Sequence, residues 1–382
     1  MSNTTSIVDQ MYHKDRVIIT ARLGLANGTF LQPTGFPDIG SCIYTDAEGK
    51  KRCLIESEQS MANRLEAVCM KAPGYWVDDL NYLPVIEVRD NGTLLATNLT
   101  EPHRIASSYV LESKLNGSDV KSTLEKKLEL RNGGSTWPLD KRAALEKLVF
   151  ALDPAALLHG FQFVQWKFVG LRQTRLLSAR LECELADEPE VQYGMVKFDL
   201  IEPGAQAEGT NKGQSIAAKS RVVPAKDGIK ATFDIDLLGL KSLALEEKQK
   251  KFLLALALWK IGAFLSNKPA FDARSRQTSP ALRLRADCYL SCGGCVEWSG
   301  NGGSVTLVDM LGELTKLKEP GPKIGFDSLA KDQGFEVPKE EDGKPHVIKV
   351  TYRGRASSQD TPPQPPPAEA PQGQDQPEAD DN

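Results

Sequence analysis

No stretch of the 382 residues approaches ~18 uninterrupted apolar side chains, so a membrane-spanning helix is not expected. The opening segment, MSNTTSIVDQMYHKDR, lacks the apolar core of a secretory leader, and none is expected. Histidine is scarce: His13, His103, His159 and His346 are the only four, and none stands at a catalytic spacing. The motifs G-x-S-x-G, H-E-x-x-H and G-x-x-x-x-G-K-[ST] are absent. Carboxylates are plentiful, but no pair stands apart. With no nucleophile, base or metal constellation, an enzyme is not expected. The seven cysteines are an odd number without a leader, which points to reduced thiols in a cytoplasm.

What is present is ordinary globular material, 26% charged and 40% hydrophobic, enough for one large domain or two average ones. The net charge of −4 conceals an uneven distribution. Residues 356–382 hold six acids, no base and seven of the 23 prolines. Without them the chain carries 47 bases against 45 acids, a net +2. The tail is too polar to recover its ordering entropy by burial and is expected to be disordered. In a near-neutral body, a polyanion site must be a local stripe.

Residues 17–25 alternate, Val17, Ile19, Ala21, Leu23 and Leu25 against Ile18, Thr20, Arg22 and Gly24, which predicts a strand. A helix is predicted over residues 57–70, with Met61, Leu65 and Val68 on one face and Gln59, Asn63 and Arg64 polar. Asp90-Asn91-Gly92 predicts a hairpin between residues 84–89 and 93–98. Helices follow over about 119–131 and 139–152, the second closed by Asp153-Pro154. Strands are predicted over 161–184, 191–201 and 229–237, with a long mobile loop at 204–215. Residues 243–267 form the strongest helix pattern, apolar on nearly all sides, and 281–290 alternate again as a strand. The order is that of an α+β sheet with helices on one face.

Cys288, Cys292 and Cys295, spaced C-x3-C-x2-C, are the sharpest chemical feature. Three thiolates so spaced suit an iron–sulfur cluster, or zinc with Cys183 or His346 as fourth ligand. Small residues at a strand end are the plainer account, and no metal is expected. Polyanion signals are stronger. Residues 160–180 carry Lys167, Arg172, Arg175 and Arg180 with no acid, interleaved with Phe161, Phe163, Trp166 and Phe168. Cations tracking phosphates beside flat rings suit single-stranded nucleic acid; the alternative is a buried aromatic core beneath a solvated basic face. Arg274 and Arg276 fall in a loop, with Arg283 and Arg285 beyond it. On the first long helix Gln59, Asn63 and Arg64 are close enough to touch one backbone. Upstream, QPTGFPDIG is too constrained by Pro and Gly for a casual linker.

TFLQPTGFPDIG followed by ESEQSMANRLEAVC resembles the repeat-forming backbone subunit of the type I CRISPR surveillance complex (Cascade) of subtype I-G, formerly I-U. EPHRIASSYVLE and SPALRLRADCYL are similar to that family too, so the likeness runs from about residue 16 to 300. The resemblance implies a modified RRM-like (ferredoxin-like) palm with large insertions, one a thumb, spanning residues 1–355. It implies several copies coating the spacer of a CRISPR RNA, without catalysis, and leaving its bases to pair with target DNA. The partners implied are the CRISPR RNA, target DNA through the guide, further copies and other Cascade subunits, with no membrane and no cofactor. The candidate RNA contacts are Thr34, Gly35 and Phe36 in the constrained loop and Ser57, Gln59, Ser60, Asn63 and Arg64 on the helix. His103 and Arg104, Lys167 and Arg172, and Arg274, Arg276 and Arg283 complete them. Two enzyme readings compete: a metal or Fe–S enzyme on the cysteine triad, and a ribonuclease using Asp38.

Overall fold

The computed structural model describes residues 6–36, 40–131, 137–166, 171–193, 199–200, 213–214, 219–299, 303–318, 324, 326–335 and 347–352. Lys167, Phe168, Asp38, His346, most of the 204–215 loop and the 356–382 tail lie outside the described residues.

The central sheet is built on β1 (Arg16–Leu25), β2 (Lys51–Glu56), β3 (Leu177–Tyr193) and β4 (Lys219–Asp236). β4 lies between β1 and β3, β2 adds outside β3, and Leu290–Cys292 and Cys295–Trp298 pair with the other edge of β1. Every pairing among these strands is antiparallel. The alternation in the sequence decides which face is buried. Ile19, Phe233 and Ala179 form one cross-strand row and Ala21, Ala231 and Leu181 the next, all buried. The intervening rows, such as Thr20, Thr232 and Arg180, face outward.

Helices cover the apolar face: α2 (Glu58–Ala67), α3 (Pro154–His159) and α4 (Glu247–Leu265), the last also contacted by the short α1 (Ile7–Tyr12). An edge-on contact of Phe233 with Phe264 seats α4 on the sheet. α4 opens on a capping box between Glu246 and Gln249 and is buried on almost every side, as its sequence predicted. Within it Lys260 is fully buried, its Nζ 3.0 Å from His159 Nε2. A second, five-stranded sheet holds the predicted hairpin, Val85–Asp90 with Thr93–Thr97, turned by Asn91 and Gly92 at positive φ. Its centre is a parallel pairing of Val347–Tyr352 with Val85–Asp90.

Two predicted strands are corrected. Residues 161–184 break into Phe161–Gln162, Arg172–Gln173 and the start of β3. Residues 281–290 keep their burial rhythm, Leu282 and Leu284 inside and Arg283 and Arg285 outside, yet turn through a 3-10 segment, Arg285–Asp287. Ala286 and Asp287 there both have φ of 56°. Alternation records which side chains are buried, not whether a neighbouring strand is available to pair.

Candidate nucleic-acid interface

α2 is the pivot of the site. Ser57 caps it, its hydroxyl accepting from Ser60 N at 3.4 Å, and Met61, Leu65 and Val68 are buried, as predicted. Gln59 and Asn63 are consequently exposed. The far end of the helix is fixed by charge. Glu66 accepts from Arg104 Nε and from Nη2 at 2.7 Å, and Arg104 Nη1 donates to Gly160 O at 3.1 Å. Next to it Asp153 accepts from Ile105 N at 3.1 Å while capping α3, and burial pushes its carboxyl up to about 6.

Arg104 is therefore a structural residue, only 8% exposed and saturated internally, and not an outward phosphate contact. His103 beside it is exposed. Phe161, Phe163 and Trp166 are likewise buried, packed edge-on and tilted against one another, which is the buried aromatic core of the two readings and not rings offered to bases. Of the basic residues of that segment, Arg172, Arg175 and Arg180 are exposed. Gly160 has φ of 79°, and a Cβ there would come 2.8 Å from Gln173 O, so the chain passes closely under residues 173–175. That approach brings Arg175 to α2, where it donates to Gln59 Oε1. Arg172 is exposed, with no acid partner for its side chain among the described residues.

On the other flank of α2 lies the hairpin of Pro269–Asp272 with Gln277–Pro280. Its turn exposes Arg274 and Arg276, whose guanidinia have no acid partner among the described residues. The 281–287 turn follows. Glu56, 1% exposed at the end of β2, ties it to the helix. One of its oxygens accepts from Arg64 Nη2 at 2.6 Å and Nε at 3.1 Å, and the other from Arg285 Nη1 at 3.0 Å. Arg64 Nη1 donates to Arg283 O at 3.0 Å, and Arg283 pairs with Asp287. The helical pattern places Arg64 with Gln59 and Asn63 on the outward polar face. Arg64 is instead half-buried, paired with Glu56, and accompanied by Arg283 and Arg285. No local spacing signals this, because Glu56 and Arg285 are 229 residues apart.

Thr34 N donates to Ile55 O at 2.8 Å, placing the constrained loop alongside the end of β2. Gly35 and Phe36 pair with Gly40–Ser41. The cysteine triad is not gathered: Cys288 is buried, Cys292 half-buried and Cys295 exposed. Among the described residues no group of three or more His, Cys, Asp and Glu side chains is placed to hold a metal, and no helix is long and apolar enough to cross a membrane.

Residues 17–188, a little under half of the chain, match the model of the family described as CRISPR-associated protein GSU0053 (Cas_GSU0053), in the stretch that holds the TFLQPTGFPDIG and ESEQSMANRLEAVC motifs. The crystal structure of Thermofilum pendens Csc2 is 12% identical, with 86% of this chain and 80% of that one covered and a TM-score of 0.28. A chain of a "CRISPR RNA-guided surveillance complex, pre-nicking" is 14% identical, covering 69% and 74%, with a TM-score of 0.30. Scores this low bear on neither fold nor role. No curated protein matches the sequence.

Proposed function

We propose that the protein is a non-catalytic, RNA-coating backbone subunit of a type I-G Cascade complex. Copies of it lie along the spacer of a CRISPR RNA, hold its backbone and leave its bases to pair with target DNA. The observation that carries the reading is the convergence of basic side chains from separate segments on α2. Arg175 reaches the helix at Gln59, Arg283 meets it at Arg64, and the hairpin that bears Arg274 and Arg276 packs against it, beside the exposed Gln59 and Asn63. Guanidinia and amides without a surrounding stack of rings suit phosphate and ribose, and would hold RNA without reading its sequence. The fold supports it. Ordering the edge strands, β1, β4 and β3 as they lie in the sheet gives the 4-1-3-2 antiparallel arrangement of a ferredoxin-like, RRM-like palm. The β3–β4 ribbon continues beyond the end of β1 and is our assignment for the thumb. Cytoplasmic location and assembly with other Cascade subunits go with this role.

A titration of single-stranded RNA against salt tests the proposal. Binding should weaken steeply with salt and vary little between sequences. A flat salt dependence, or binding confined to one sequence, would refute it.

A further inference from the structure

The outward face of the central sheet carries an unusual juxtaposition. Arg22 on β1 stands directly opposite Lys230 on β4, and both are exposed. Like charges facing each other across neighbouring strands repel, and sheets ordinarily avoid the arrangement. The acid next in that row, Glu182 on β3, is already engaged by Arg180 Nε at 2.9 Å and by the Tyr44 hydroxyl. Glu297, opposite Thr20, is the diagonal neighbour of Arg22 and forms no ion pair with it. Among the described residues neither Arg22 nor Lys230 has an acid partner. Beside Arg22 the surface is nearly bare of side chains: a Cβ on Gly293 or Gly294 would meet nothing within 4 Å, and one on Gly24 only Ser291 Oγ at 3.4 Å. Gly293 and Gly294 form the segment between Cys292 and Cys295, for which the RNA-coating role has no other use.

We infer that this row is a second nucleic-acid site, taking the phosphodiester backbone of a single strand on the sheet face opposite α2. A phosphate between the two cations would relieve their repulsion, and the bare glycine surface leaves room for a backbone to approach. The chemistry stops at phosphate. Ile18, Thr20, Ser178, Arg180, Thr232 and Asp234 near the pair carry no ring on which a base could stack, and Tyr44, beyond Glu182, has its hydroxyl committed to that carboxylate. The strand is therefore held without sequence preference. The inference rests on the RNA-binding reading but concerns the other face of the sheet.

The test uses the full chain and mixed-sequence single-stranded RNA, with wild type compared to Arg22→Gln/Lys230→Gln and to Arg274→Ala/Arg276→Ala. Losing two phosphate contacts should lower the slope of log K against log salt by about 1.4 for the first variant. Its affinity should fall roughly tenfold at moderate salt. Arg22→Glu serves as the control for folding: it turns the repulsive pair with Lys230 into an attractive one without facing Glu182, so it should raise the melting temperature while weakening RNA binding. If Arg274→Ala/Arg276→Ala weakens binding and Arg22→Gln/Lys230→Gln binds with wild-type affinity and slope, the sheet-face site is wrong and the α2 interface stands. Wild-type behaviour of both double variants would overturn both. Equal competition by polyglutamate and RNA at the Arg22 site would show an unselective anion patch, and would also overturn the inference.

Discussion

Arg64 and Glu56 form a half-buried ion pair, with two guanidinium nitrogens at 2.6 Å and 3.1 Å from a single carboxylate oxygen. The pair joins the end of β2 to α2. Through the second oxygen of Glu56, bound to Arg285, it also fixes the 281–287 turn. Arg64→Ala should therefore destabilise the protein, because a carboxylate only 1% exposed loses one of its two cations. Arg285 remains, so the cost should be about 1–3 kcal/mol rather than the full penalty of an orphaned buried charge. Chemical denaturation checks this. Glu56→Gln in the same background should cost less than in wild type, and strict additivity would show that the two residues do not act as a pair.

Arg274 and Arg276 sit on a hairpin turn and are uncommitted among the described residues. Replacing both by Ala should leave stability within about 0.5 kcal/mol of wild type. RNA affinity should fall for every sequence, with the salt slope smaller by roughly 1.4. A melting curve and a binding isotherm on the same sample separate the two effects.

Arg104→Met should be among the costliest single changes, about 3–5 kcal/mol, since it strands Glu66 beside buried backbone and releases the chain at Gly160. The measurement is the denaturation midpoint. A variant as stable as wild type would mean that the Arg104–Glu66 pair contributes nothing to holding α2.

Asp153 gives a pH signature. Burial raises its folded-state carboxyl to about 6, against about 3.9 in an unfolded chain. Between those values the folded protein holds a proton that the unfolded chain has released. The stability linked to that proton is complete below about pH 4 and is lost as pH rises through about 6, a change of roughly 3 kcal/mol. Asp153→Asn should flatten stability across that window. Parallel pH profiles for the two proteins would contradict the assignment.

The parts of this fold legible in the sequence are those whose cause is local. The alternation of β1, the Ser57 cap with its Met61, Leu65 and Val68 face, and the Asn91-Gly92 turn each follow from neighbouring residues. What escaped was set by distant partners. Ala286 and Asp287 have no glycine to announce a left-handed turn; Arg285 on Glu56 and Arg283 on Asp287 hold it there. Arg104 resembled a surface base because Glu66 and Gly160 are 38 and 56 residues away. The site itself was half visible: α2 and the 274–276 turn were found separately, but their adjacency, and the Gln59–Arg175 contact, exist only in the folded chain.

The most direct measurement of the central claim is the nucleic acid that accompanies the protein when it is purified from cells without nuclease treatment. The account predicts RNA, protected and of uniform length, that is released by high salt. Protein free of nucleic acid, or carrying fragments of random length and kind, would contradict it.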